Sequence, residues 1–316
     1  MKKDLLKILC CPETKSELEL KIISEENGEV KEGILTNQNG KIFPIKNFVP
    51  RFVESDSYVD NFSLEWLKHR ITQYDTNPQN KNKKFTESDF RNMTGLTEEK
   101  IQGKTILDVG VGTGRYSAIA SEWGGQVIGI DLSFAVESAA TNIGNRKNVN
   151  IIQADIFKLP FKENVFDIIF SIGVLHHTPD TESAFKQLPQ HLKKGGLLSI
   201  WVYNAYNKQG TKSKHFWHNI LKKLPKKLLY NLSYLAVPLS YLYRIPYLGG
   251  MLYYFFPIVF YTDRNWRWTQ LDTFDLYSPE YMYFHKYPEV FQWFRNSNFV
   301  NIEISEPPIS VRGIKI

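Results

Sequence analysis

Ile106-Leu-Asp-Val-Gly-Val-Gly-Thr-Gly-Arg-Tyr116 decides the fold. Its apolar start reads as a buried strand over residues 105–109. Its glycines read as a turn that lets backbone approach a ligand closely, and the residues from 116 to 123 as a helix whose first N–H groups point at polar ligand atoms. Working outward, the alternation continues, with strands over 126–130, 149–153, 166–171 and 197–203, a helix over 135–143, and another over 182–192 ended by Gly195 and Gly196. Strands alternating with helices imply a parallel sheet with crossover helices, so the expectation is a Rossmann-like doubly wound α/β fold. A helix over 288–296 and strands over 300–305 and 309–316 would close the sheet with an antiparallel hairpin.

A glycine-rich turn alone is common, and its neighbours make this one specific. Asp131 ends the next strand, in Val127-Ile-Gly-Ile-Asp-Leu-Ser133, where an acid can accept from both hydroxyls of a ribose. Asp155, after the third strand in Gln153-Ala-Asp-Ile-Phe157, could accept from an adenine amino group. The dinucleotide fingerprint wants a glycine at the sixth position from Gly110, where this chain has Arg115. The spacing Gly110, Gly112, Gly114 favours a nucleoside without pyrophosphate.

With Asp108 to Gly114, Asp131, Asp155 and Phe166-Asp-Ile-Ile-Phe-Ser-Ile-Gly-Val-Leu-His-His-Thr-Pro179, the chain resembles class I S-adenosylmethionine-dependent methyltransferases, near the ubiquinone and menaquinone methyltransferase branch. The resemblance covers about residues 100–203 and 280–316. It implies S-adenosyl-L-methionine as cofactor, with Asp108, Gly110, Gly112 and Gly114 cradling its methionine end. Asp131 with Leu132 would hold the ribose, Asp155 with Ile156 the adenine, and the stretch from Ser171 to Val174 would line the sulfonium.

The flanks are read with less help from periodicity. Residues 1–55 look like a small β-rich unit with a helix over 4–9 and strands over 18–23, 33–36 and 41–45. Leu5-Leu-Lys-Ile-Leu-Cys-Cys-Pro with Gly40-Lys-Ile-Phe-Pro-Ile-Lys-Asn-Phe-Val-Pro50 resembles the Trm112-type zinc-ribbon fold, but only Cys10 and Cys11 remain. Thr14 stands where a second cysteine is expected and no Cys or His follows in residues 12–60, so no metal is expected. Residues 56–100 read as a polar helical arm, with Phe62, Trp66 and Leu67 at helical spacing and a break over 77–84. The cofactor core spans 101–203 and the closing helix and hairpin span 276–316. Between them lies an aromatic insertion, 204–275, punctuated by Pro225, Pro238, Pro246 and Pro257.

Candidate acceptor-side residues follow from position. His176 and His177 leave the fourth strand at the mouth of the crevice, where a neutral imidazole could remove a proton, and Tyr203 ends the fifth. Past the insertion, Asp275, Tyr277, His285 and Arg312 suggest a substrate wall. From 228 to 261 Arg244 is the one charged residue, with Lys222, Lys223, Lys226 and Lys227 just upstream. Such a stretch suits a lid over the acceptor, a peripheral membrane contact through 222–261, or both; prolines and glycines break it too often to span a bilayer.

Composition leaves the acceptor open. The net charge of +6 comes from 39 Lys and Arg against 33 acids, too balanced to demand an anionic partner. An adjacent cysteine pair cannot staple distant segments and suits a reducing compartment, so the cytoplasm is expected, as is work at a membrane periphery. The expected function is methyl transfer to O or N of a small-molecule or glycan-like acceptor, including lipid-linked ones. A tRNA or rRNA methyltransferase is the alternative; against it, no basic stripe interleaved with aromatics marks the active edge. A non-catalytic cofactor-binding partner subunit is the third reading.

Overall fold

The computed structural model describes residues 1–53, 65–81 and 83–316; Phe62 and Asn82 of the expected arm lie outside the described residues. The N-terminal residues form an antiparallel sheet, β1 (Leu18–Glu26), β2 (Glu29–Asn37), β3 (Ile42–Lys46) and β4 (Val49–Pro50), paired in chain order. The helix expected over 4–9 is a 3-10 turn, Lys3–Lys7. It stops because Leu9 bridges to Phe161 and Cys10 N–H donates to the Pro160 carbonyl at 2.9 Å, which draws the chain out into extended backbone.

Two helices, α1 (Phe85–Thr94) and α2 (Glu98–Ile101), lead into β5 (Thr105–Val109), α3 (Arg115–Glu122), β6 (Gln126–Asp131), α4 (Ala135–Ile143), β7 (Val149–Gln153), β8 (Phe166–Ile172), α5 (Thr181–Lys186) and β9 (Leu192–Trp201). After an insertion carrying α6 (Lys208–Leu221), α7 (Lys226–Ser233), α8 (Ala236–Tyr243), α9 (Leu248–Phe255) and α10 (Trp266–Tyr277), the chain ends with α11 (Tyr287–Asn296), β10 (Phe299–Ile304) and β11 (Ser310–Lys315).

The seven strands of the large sheet run in the order β10-β11-β9-β8-β5-β6-β7. Five are parallel; β11 joins β9 antiparallel and β10 joins β11 antiparallel. This is a Rossmann-like doubly wound sheet, mainly parallel, with the C-terminal hairpin. Both faces are covered, as a parallel sheet requires. Leu107, Val109, Ile130 and Ile169 point into one core shared with Leu35, Phe43 and Ile45 of the N-terminal sheet. Ile106, Val127, Ile168 and Phe170 point into the other, with Phe90 of α1.

A second expected element is also corrected. The helix over 182–192 is only α5 plus a 3-10 turn, Pro189–His191, because Pro189 has no N–H to donate to the Phe185 carbonyl. Gly195 and Gly196 lie within β9 instead of ending a helix. Gly195, at φ +75°, sits where the β8–β9 register shifts between Phe166 and Ile168.

Candidate active site

Strand order reverses at β5, whose neighbours β6 and β8 carry the chain to opposite sides, and a crevice opens at the carboxyl ends of these strands. The crevice holds a cavity of about 400 Å³, within the ~300–1,000 Å³ usual for small-molecule sites. One wall is the glycine turn. Gly110 has φ +84°, and a Cβ there would lie 2.2 Å from Val174 Cγ2; Gly114 caps α3 at φ +88°, and a Cβ there would lie 2.7 Å from Ile143 Cδ1. Only glycine fits either position.

The acids at the strand ends are placed by backbone. Asp131 accepts from Gly112 N–H at 3.0 Å, Ser133 N–H at 2.9 Å and Ser133 Oγ at 2.7 Å, which pins its carboxylate at the cavity edge beside Leu132. Burial raises its pKa, against those hydrogen bonds. Asp108 lies deeper, accepts from Ser117 Oγ at 2.7 Å, and burial pushes it up to about 7. A carboxyl so poised gains from a cationic group brought close to it. Asp155 caps the turn Ile156–Lys158 by accepting from Phe157 N–H at 2.9 Å, while its neighbours Ala154 and Ile156 form the cavity wall. Ser171 is fully buried and donates to the Val109 carbonyl at 3.0 Å; the wall beside it is Ile172, Gly173 and Val174.

The facing wall is built by segments remote in sequence. Trp66 and Gln73 come from the arm, Asp89 from α1, Arg115 from α3, Tyr203 from the end of β9, and Tyr261, Arg264, Trp268, Asp272 and Asp275 from the insertion. Arm and insertion grip each other. Asn80 Oδ1 accepts from Asn265 Nδ2 at 2.6 Å and Trp268 Nε1 at 3.1 Å, Gln73 Nε2 donates to Asp272 at 2.9 Å, and Arg264 pairs with both oxygens of Asp89 at 2.9 Å. Asp272 also accepts from the Tyr261 hydroxyl. Arg115 lies over the Tyr116 ring, 4.4 Å from its centroid.

Asp275 stands out chemically. Burial, and then the charge of Asp272, push it up to about 7, held back by Arg115 and by a hydrogen bond from Tyr203. Behind it Glu65 is fully buried with neither oxygen hydrogen-bonded, and burial followed by the charges of Asp275 and Asp272 holds it well above the ordinary carboxylate range. The wall therefore sets Asp89, Asp272 and Asp275 against Arg115, Arg264 and Lys214.

The other sequence candidates are placed differently from one another. His177 reaches the wall, its Nδ1–H donating to the Tyr281 carbonyl at 2.9 Å, and burial lowers it to about 4, so it is neutral at pH 7. His176 is fully buried behind it, its ring 3.9 Å centroid to centroid from Tyr203, and burial takes it well below the usual range. His285 bridges Thr181 and Glu289 at 3.1 and 3.0 Å and packs on Trp293. Tyr277 donates to the Pro257 carbonyl inside the insertion. Arg312 joins Glu303 to the Thr94 carbonyl. None of His176, His285, Tyr277 and Arg312 lines the cavity. Sequence reading missed Glu65, Gln73, Asp89, Tyr261, Arg264 and Trp268, and saw Arg115 only as a residue that was not glycine.

Residues 107–200, the glycine turn and strand ends just described, match the family profile described as a methyltransferase domain. This stretch is a methyltransferase domain. The methyl donor of such a domain is S-adenosyl-L-methionine. The chain is 36% identical over 121 residues to phosphoethanolamine N-methyltransferase 2 of Caenorhabditis elegans, a match covering 36% of this chain and 27% of that protein. It is 34% identical over 102 residues to the malonyl-[acyl-carrier protein] O-methyltransferase of Legionella pneumophila, covering 31% and 36%. Among solved structures, a S-adenosylmethionine-dependent methyltransferase from Mesorhizobium loti aligns with 29% identity over 37% of this chain and 53% of that one, at a TM-score of 0.33. The chain thus spans about a third of the length of these curated relatives.

Proposed function

We propose that the protein transfers a methyl group from S-adenosyl-L-methionine to an oxygen or nitrogen of a small-molecule or glycan-like acceptor, including a lipid-linked one. The observation that carries this reading is a single cavity walled on one side by the glycine turn and Asp131 and on the other by Asp275, Tyr203 and the insertion. Asp131 would hold the ribose, Ala154 and Ile156 the adenine face, and Asp108 with Gly110 and Gly112 the methionine end. The bound donor supplies an electrophilic methyl group. The work of the chain is orientation, which in a displacement of this kind removes much of the barrier. Asp275, with a pKa near 7, would take the proton that the acceptor loses as it attacks, since a base is most effective when its pKa is close to the working pH. Trp268, Tyr261 and Trp66 exclude water. An RNA substrate fits this reading poorly, because the acceptor wall is closed by the helices of the insertion. The glycine turn and Asp131, facing Asp275 across one cavity, argue for catalysis over a purely supporting subunit.

The test begins with calorimetric titration of S-adenosylmethionine and S-adenosylhomocysteine into the wild type and Asp131→Ala, expecting binding that the variant loses. Labelled methyl transfer to polar-lipid, sugar and tRNA fractions then follows. Label in a small molecule or lipid supports the reading; label in tRNA alone overturns the acceptor class. A folded protein that binds neither ligand overturns the reading altogether.

A further inference from the structure

From Asn204 to Thr262 the chain holds seven lysines, at 208, 212, 214, 222, 223, 226 and 227, and Arg244, without one Asp or Glu. These eight charges exceed the net charge of the whole chain, +6, so the rest of the molecule is slightly negative. The positive charge is concentrated on the insertion.

The helices there are apolar on their outer as well as their inner side. In α8 the buried residues are Ala236, Ser240 and Tyr243, one helical stripe, while Tyr241 and Leu242 face outward, 64% and 42% exposed. In α9 the buried residue is Gly249, and Met251, Tyr254 and Phe255 are exposed. Tyr247 between them is 97% exposed. A helix on the surface of a water-soluble protein turns its apolar face to the core. Here Tyr243, Leu239, Leu252 and Tyr253 already supply an inward apolar stripe, and a second set of large apolar side chains points away from the protein. Leu228, Leu232 and Leu235 of the preceding segment are likewise exposed, next to exposed Lys223 and Lys227. No helix among the described residues is long and apolar enough to cross a membrane.

From this pattern we infer that the insertion is a docking surface for an anionic lipid bilayer: Tyr241, Leu242, Tyr247, Met251 and Phe255 enter the interface and Lys223 and Lys227 meet the headgroups. Charge of one sign decides for a lipid surface over a second copy of this chain, whose like-charged insertion would repel it. Exposed aliphatic side chains decide against RNA, which offers phosphate and stacked bases and little for Leu or Met to bury against. Tyrosine, with an apolar ring and a polar end, suits the headgroup level. The inference does not depend on the methyl-transfer reading, although a cavity walled by α10 and Lys214 places the insertion between bilayer and acceptor.

The test is co-sedimentation of the full chain with vesicles of phosphatidylcholine alone and of phosphatidylcholine mixed with phosphatidylglycerol. Binding to the mixed vesicles, weakened by salt, is expected. Lys223→Ala and Lys227→Ala should each weaken it by roughly fivefold, the scale of one lysine beside anionic lipid. Tyr247→Ser with Met251→Ser should weaken it by about tenfold or more. Far-ultraviolet circular dichroism reports separately that each variant is folded. A folded protein that ignores both vesicles, or binds with no effect of these four substitutions, overturns the inference, as does concentration-dependent self-association or retention of RNA abolished by the same substitutions in place of vesicle binding.

Discussion

Asp131 and Asp275 face one cavity from opposite walls, and they should fail differently. Asp131→Ala removes the carboxylate that Gly112 and Ser133 hold in place, so affinity for S-adenosylhomocysteine should drop at least tenfold, on the ~1.5–3 kcal/mol scale of a charged hydrogen bond, with little change in acceptor KM. Asp275→Asn should leave donor binding intact and lower kcat by about 10²–10⁴, the usual contribution of a general base. In the wild type, kcat should rise with pH up to about 7 and level off as Asp275 ionises, and the variant should lose that limb. Stability should move the opposite way. With a folded pKa of about 7 against an ordinary 3.8, native Asp275 keeps a proton that the unfolded chain has already lost. Its contribution to folding therefore worsens as pH rises from about 4 to 7 and stays at its worst above. Asp275→Asn should raise the melting temperature more at pH 8 than at pH 5, and an equal gain at both would refute the assignment. Asp131 was legible in the sequence because a strand end fixes an acid through its backbone. Glu65, Arg264 and Trp268 were not, because their meeting depends on tertiary contacts between segments almost two hundred residues apart.

At the scale of elements, the run from β5 to α4 was readable almost to the residue, since Thr105–Val109 and Ala135–Ile143 carry both periodicity and boundary signals. The insertion resisted because apolar residues lie on both sides of α8 and α9, so that no polar face marks which side meets the core. The turn itself makes a prediction. Gly110→Ala would push a Cβ to within 2.2 Å of Val174 at a φ of +84°, so either the β8 loop retreats or the turn does. The expected cost is about 1–3 kcal/mol in the urea unfolding midpoint together with loss of donor binding. Adding Val174→Ala should recover part of the stability, because it removes the two nearest atoms, but not the strain of the positive φ. Full recovery by the double variant would mean that sterics alone had required the glycine.

Across the whole molecule, the small N-terminal sheet is the part whose independence can be decided by physics. The strands expected over 18–23, 33–36 and 41–45 made it legible as β-rich, and a unit this small needs support to fold. The structure supplies that support through one continuous core, in which Leu35 and Ile45 share neighbours with Leu107 and Ile169. Phe52 N–H donates to the Gln153 carbonyl at 2.8 Å, and Arg51 pairs with Gln153 and Glu137. Leu35→Ala, at a fully buried position of β2, should therefore cost about 2–5 kcal/mol for the molecule as a unit. No tryptophan precedes Trp66, so tryptophan fluorescence reports only on the arm, the sheet of β5 to β11 and the insertion, whereas far-ultraviolet circular dichroism reports on all of it. If the two sheets unfold together, the substitution lowers the denaturation midpoint equally by both probes. If fluorescence keeps its wild-type midpoint while circular dichroism gains an early step, the N-terminal sheet is a separate unit that merely rests on the methyltransferase domain.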